Sequence, residues 1–223
     1  MRRVEVYPPD AVVLNYPLAC RARARNSPAR RVPSHGTHLM GTTYAIDLIP
    51  VDHAGRVARW NWRAMFGTER PHAFVGFGMP VFAPVSGVVV IAHDGEPDHS
   101  ARRSPSSLLA YAAGQARRVR GGPAAIAGNH VVIALGVSGP FVLVAHLMCG
   151  SVGVEVGDRV ERGASIGCCG NSGNSTQPHV HLQATDSVAW STARGLPIAF
   201  AAIGGSYLPS ESQIITRTGP AAG

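Results

Sequence analysis

Two histidines one residue apart, His179-Val180-His181, sit in a strand-like run. Residues two apart in a strand project from the same face, so both imidazoles point at one spot. Alone, an H-x-H pair is a weak sign of metal binding, because such pairs are often ordinary histidines bonded to their neighbours. The rest of the chain supplies further groups. His146 closes an apolar run, Val142-Leu143-Val144-Ala145, and His35, His38 and Asp47 lie upstream. A catalytic zinc centre takes three N/O ligands and keeps a position open for water. Two histidines and one carboxylate would hold Zn2+ while leaving it positive charge to acidify that water. Histidines outside the metal shell could then move protons.

The elements that must position these groups are short and extended. Strands are expected at Ala11–Leu14, Tyr44–Ile49, Pro80–His93 (around a turn at Ser86-Gly87), Val152–Val156, Ala164–Gly167 and His179–Gln183. His130–Leu135 and Phe141–Leu147 form a hairpin across a Gly/Pro-bearing loop. One helix is expected, Leu108–Arg118, with Ser104 or Ser106 as N-cap. It lies in an insertion, 94–128, on the edge of the β-domain. Many short strands with one helical excursion point to an all-β barrel or sandwich. The expected organisation is an N-terminal strand and basic arm packed on the domain (1–33, irregular over Arg21–Arg31), a β-domain over 34–203, and a loop-like or disordered tail over 204–223.

Composition narrows the classes. The 223 residues are 45% hydrophobic and only 15% charged, which fits a globular chain with a sizeable core. The net charge is +7 and every basic residue is arginine. No nucleic-acid motif accompanies the arginines, so a solvated face is the default and no nucleic-acid partner is expected. No run of eighteen apolar residues is present, so no membrane span is expected. The first residues lack an apolar core for a secretory signal, which by sequence alone points to the cytoplasm. Cys20, Cys149, Cys168 and Cys169 form no C-x-x-C pair and read as small buried thiols. Trp60 and Trp62 read as anchors in a core or insertion, since large aromatics mainly bury area. His53, His72, His93, His99 and His130 follow no ligand spacing and are expected in structural or surface roles.

Several ordered motifs carry a family resemblance. They are Gly78-Met79-Pro80-Val81-Phe82-Ala83-Pro84 with Ser86-Gly87-Val88-Val89, Gly128-Asn129-His130-Val131-Val132-Ile133, Ala145-His146-Leu147, Val156-Gly157-Asp158 through Gly163, Ile166 through Ser175, and Pro178-His179-Val180-His181-Leu182. Together they resemble the lysostaphin-type zinc metallopeptidases, the LytM-like peptidoglycan endopeptidases. The likeness runs from about His35 to Gln183. It implies a duplicated-hybrid-motif-like barrel or sandwich, one Zn2+ per chain, a peptidoglycan peptide substrate, and a location at the cell envelope or outside the cell. It further implies that His181 and Asp47 are zinc ligands and that His146 and His179 are the catalytic histidines. The remaining ligand departs from the family's H-x-x-x-D spacing, because Thr43 stands where a histidine would be. His35, twelve residues before Asp47, fits the register of subgroups with a longer loop; His38 is the alternative.

Two rival functions stand beside this one. A catalytically idle relative that binds and activates cell-wall hydrolases should have lost ligands or catalytic histidines, and here every position can be filled. A biotinyl- or lipoyl-like carrier needs an attachment lysine, and the chain has none.

Overall fold

Alternation of buried and outward residues builds the sheet that carries the site. In the computed structural model, which describes residues 10–60, 67–102 and 122–216, the first strands are β1 (Val12–Leu14), β2 (Ala22–Arg25), β3 (Ile46–Pro50) and β4 (Thr68–Glu69). There follow β5 (Pro80–Phe82), β6 (Gly87–His93), β7 (Ala101–Arg102), β8 (Asn129–Ala134), β9 (Phe141–Leu147) and β10 (Arg159–Val160). The last are β11 (Ser165–Cys168), β12 (Val180–Thr185), β13 (Gly195–Leu196), β14 (Ile198–Ala202), β15 (Gly205–Tyr207) and β16 (Ile214–Ile215). One short helix, α1 (Gly122–Ala127), precedes β8.

The large sheet has the order β10-β6-β8-β9-β12-β3-β2-β16, with β13 paired to β12. The smaller sheets β1-β14-β15 and β5-β11 lie apart from it in hydrogen bonding. Ile46 and Leu48 of β3, Val142 and Val144 of β9, and Val180, Leu182 and Ala184 of β12 all join one core with Leu14, Ile166, Ile198 and Phe200 of the smaller sheets. Each of these side chains larger than alanine stabilises the fold by roughly 1.5–3 kcal/mol when fully buried. The residues between them, Asp47, Leu143, Ala145, His181 and Gln183, are left on the opposite face. That face carries the site. The chain is β-rich, as expected.

Several local expectations need correction. The Pro80–His93 run is two strands, β5 paired with β11 and β6 with β8 and β10, because the turn before Gly87 passes the chain from one sheet to another. Val152–Val156 is not a strand; Val152 N–H donates instead to Asp94 Oδ2 at 3.1 Å. The basic arm contains β2, whose Ala22 and Ala24 enter the core while Arg23 and Arg25 face outward. The tail contains β15 and β16, the latter pairing Ile214 with Arg23 and burying Ile215. Trp60 is 74% exposed and anchors no core. Cys149 is exposed, Cys20 and Cys168 are half-buried, and only Cys169 is buried; all four are free thiols. Leu108–Arg118, its capping serines and Trp62 lie outside the described residues. β6 ends at His93 and β8 starts at Asn129.

Candidate metal centre

Register brings the first two groups together. His181 of β12 pairs directly with Asp47 of β3, and directly opposed residues project from the same face. Asp47 Oδ1 lies 2.9 Å from His181 Nδ1. The other ring nitrogen, Nε2, meets Gln183 Oε1 at 3.0 Å, and Gln183 Nε2 donates to the Met40 carbonyl at 2.9 Å. With its NH2 so committed, Gln183 presents an acceptor, so His181 Nε2 carries the proton and Nδ1 turns a lone pair toward Asp47.

His35 arrives on a loop rather than a strand. Ser34 is fully buried; its N–H donates to the Thr43 carbonyl at 2.9 Å and its hydroxyl to the Thr42 carbonyl at 3.1 Å. The hydroxyl oxygen therefore accepts from His35 Nδ1 at 3.0 Å, which leaves His35 Nε2 facing both Asp47 oxygens at 3.3 Å. The returning loop needs Gly41: its φ is +73°, and a Cβ there would collide with the Thr185 methyl of β12. Asn26, at the end of β2, donates to Asp47 Oδ2 at 2.7 Å. His38 is exposed and bonds Thr43 Oγ1 at 3.1 Å, away from Asp47.

Ligand atoms of His35, Asp47 and His181 all fall within 4.8 Å of one another. Two imidazole lone pairs and a carboxylate converging on one point suit a cation. This donor set fits Zn2+, which takes N and O ligands at about 2.0–2.2 Å.

His179 and His146 complete the site from its other side. His179 Nδ1 donates to the Gln177 carbonyl at 2.8 Å, and its Nε2 lies 3.6 Å from Asp47 Oδ1. His146 Nδ1 donates to the Ser172 carbonyl at 3.0 Å, and its ring centroid is 4.7 Å from that of His179. His146 reaches the site because of a bulge. Asn129 pairs with Leu147 but Val131 pairs with Val144, so Ala145 and His146 together oppose one residue of β8. Strict alternation would bury His146 beside Val144; the extra residue, at φ +62°, turns it to the outer face while Leu147 returns to the core.

Charge is concentrated on Asp47. Burial alone would push its carboxyl up, but the nearby His35 and His179 hold it well below the ordinary carboxylate range. Conversely, burial would lower the His179 imidazole, but Asp47 outweighs it and raises it. Burial, then His179 and His181, lower His146 and keep it neutral. The five side chains open on a groove of about 650 Å³, walled by Leu39, Met40, Leu143, Ala145 and Trp190. Among the remaining histidines, His99 Nε2 donates to the Gly173 carbonyl at 2.8 Å and His130 Nδ1 to that of Gly128 at 2.6 Å, bonds that order loops.

Sequence reasoning did not single out Gln183, Ser34 or Asn26. Gln183 had a signal: it stands two after His181 on the same strand face. Ser34 and Asn26 had none, because tertiary folding alone brings them in.

The model of peptidase family M23 matches residues 73–191, a span that includes His146, His179 and His181 but not His35 or Asp47. No curated protein matches the chain. Among solved structures, similarity extends to the catalytic domain of the antimicrobial peptidase lysostaphin from Staphylococcus simulans: 19% identity over 82% of this chain and 86% of that one, TM-score 0.38. A catalytic-domain mutant of the prophage-encoded M23 protein EnpA from Enterococcus faecalis is 19% identical over 55% of this chain and 69% of its own, TM-score 0.36. A zinc-containing peptidase from Vibrio cholerae is 19% identical over 78% of this chain but only 37% of its own, TM-score 0.38.

Proposed function

The chain belongs to peptidase family M23, and on that premise we propose that it is a zinc-dependent endopeptidase acting on peptide bonds of peptidoglycan. The observation that carries this reading is the convergence of His35, Asp47 and His181 within 4.8 Å, with His146 and His179 facing them across the groove. His35 Nε2, His181 Nδ1 and an Asp47 oxygen would hold one zinc ion. Zinc supplies Lewis acidity toward a carbonyl oxygen and lowers the pKa of water.

The chain's own groups do the rest. Asn26 occupies Asp47 Oδ2 and Gln183 occupies His181 Nε2, so each ligand is fixed in one orientation. His146 and His179 have both given their Nδ1 protons to backbone carbonyls, so each presents Nε2 to the substrate. One takes the proton of the attacking water and passes it to the leaving amine; the protonated ring donates a hydrogen bond to the oxyanion. The apolar groove walls exclude water around the scissile bond and strengthen these interactions. The rival reading, an idle binding module, would expect a missing ligand or base, and all five positions are filled.

The test is digestion of purified peptidoglycan by the zinc-loaded chain, with new amino termini identified by mass spectrometry. Release of peptides that stops on chelation and resumes with zinc is the expected result. A zinc-loaded protein that releases nothing overturns the endopeptidase reading.

The site sits in a chain with no helix, among the described residues, long and apolar enough to cross a membrane. Its proposed substrate places its work at the cell envelope.

A further inference from the structure

Beside the metal centre lies a second concavity, of about 350 Å³, into which three arginines project: Arg23, Arg25 and Arg102. Its other polar walls are Thr176 and Gln177, and among the described residues no carboxylate lines it. Thr176 also lines the metal groove, so the two spaces meet at that residue. We propose that this cleft is a carboxylate-binding subsite for the peptide substrate, an inference that rests on the endopeptidase reading.

The placement follows from strand register. β2 alternates alanine and arginine, and burying Ala22 and Ala24 forces Arg23 and Arg25 onto the face that bears Asp47. Arg25 pairs directly with Asp47, and Arg23 with Ile49. Ala145, His181, Asp47 and Arg25 thus form one row across β9, β12, β3 and β2. Neighbouring strands lie about 4.8 Å apart, so β2 is about 10 Å from β12, the span of about three residues of extended peptide. The roof comes from the insertion: Arg102 N–H donates to the Thr176 carbonyl at 2.7 Å, holding β7 over the loop that leads to His179.

The arginines are held in fixed orientations. Arg23 Nη2 donates to the Gly55 carbonyl at 2.7 Å, which orients the guanidinium and leaves its charge. Arg25 Nε pairs with Glu211 at 3.1 Å and its Nη1 meets Ser212 Oγ at 3.3 Å. Arg102 Nη1 donates to the Ser100 carbonyl at 2.9 Å and meets His99 Nδ1 at 3.3 Å. Guanidinium forks bind carboxylates with directional, charge-assisted hydrogen bonds, so a fixed cluster of them selects both charge and position. A peptide with a free carboxylate about three residues from the bond being cut would bridge the two spaces.

The experiment uses the full zinc-loaded chain and capped alanine pentapeptides in which one glutamate is walked through the five positions, each with its glutamine counterpart. Binding is measured by calorimetry at low salt. At one position, glutamate should bind about tenfold tighter than glutamine. In R23Q/R25Q that advantage should fall to within about twofold while zinc content and glutamine-peptide binding hold; R23K/R25K should retain part of it. No glutamate advantage, an equal advantage at every position, or one that survives in R23Q/R25Q overturns the subsite. Cleavage is scored separately: binding preference without cleavage counts against the endopeptidase reading alone, and cleavage without preference counts against the cleft alone.

Discussion

Half of the candidate centre is held by strands and half by loops. Asp47 and His181 are locked to each other by a β ladder whose inward residues, Leu48, Val180 and Leu182, are fully buried. His35 is held only by side-chain and turn bonds around Ser34, on a segment that includes positive-φ Met40 and Gly41. Besides the direct approach of His35 to Asp47, Gln183 joins the two halves: on β12, it bonds His181 on one side and the Met40 carbonyl on the other. A ladder fixes a ligand against many cooperative contacts, while a loop fixes it through a few that a single mutation can remove. The strand half therefore sets where a metal sits, and the loop half sets how tightly it is held.

The largest effect should come from the strand half. His181→Ala removes one of the three ligands from the rigid side of the shell, and bound zinc should fall from about one per chain to background after dialysis, read by elemental analysis. Full retention of zinc by this variant means the shell is misassigned.

Next come the two histidines that face the shell without belonging to it. His146→Ala and His179→Ala should keep stoichiometric zinc and lose roughly 10²–10⁴-fold in peptide hydrolysis, the usual contribution of a positioned acid or base. Steady-state rates with metal content measured on the same samples separate this from metal loss. Near wild-type rates in both variants would sink the mechanism.

The bridge between halves gives a smaller effect. Gln183→Leu keeps the side chain's bulk but leaves His181 Nε2–H and the Met40 carbonyl without their partner. Zinc affinity, measured by chelator competition, should weaken by about 10–100-fold, as for other groups that orient a metal-bound histidine. Gln183→Glu still accepts from Nε2–H and should recover much of the His181 half alone. If Gln183→Leu binds zinc like the parent, the two halves are not coupled through this residue.

The same division explains what could be read from the chain. His179, His181 and Asp47 were legible because strand alternation is local: the apolar Val180, Leu182, Ile46 and Leu48 state which way their neighbours point. His146 was found by resemblance and not by alternation, which puts it on the wrong face; the bulge that corrects this leaves no local mark in Val142–Leu147. β16 was missed because Ile214 and Ile215 make too short a run to announce a strand, and their pairing with β2 joins residues almost the whole chain apart. β2 was missed for another reason. Its Ala-Arg-Ala-Arg alternation has period two, but alanine is a weak apolar signal and the arginines made it look solvated. The loop half was the least legible, since His35 and His38 differ only in which one the fold of Ser34–Thr43 turns inward.

That ambiguity sets the smallest expected effect and the sharpest test of the comparison. His35 Nε2 stands 3.3 Å from each Asp47 oxygen, whereas exposed His38 spends its Nδ1 on Thr43 Oγ1 at 3.1 Å. Exchanging them would require undoing the Ser34 bonds to Thr42 and Thr43, and Ser34 is fully buried. His38→Ala should therefore leave zinc affinity within about twofold and stability within about 0.5 kcal/mol, as for surface substitutions generally. His35→Ala should lose stoichiometric zinc. Ser34→Ala falls between them: it frees the His35 ring without removing it, so zinc affinity should drop by about 10–100-fold while the strand half stays intact. Chelator competition on the three variants orders them. Loss of zinc in His38→Ala with retention in His35→Ala would show that the loop turns the other way, and that the loop half, unlike the strand half, has more than one seat for its ligand.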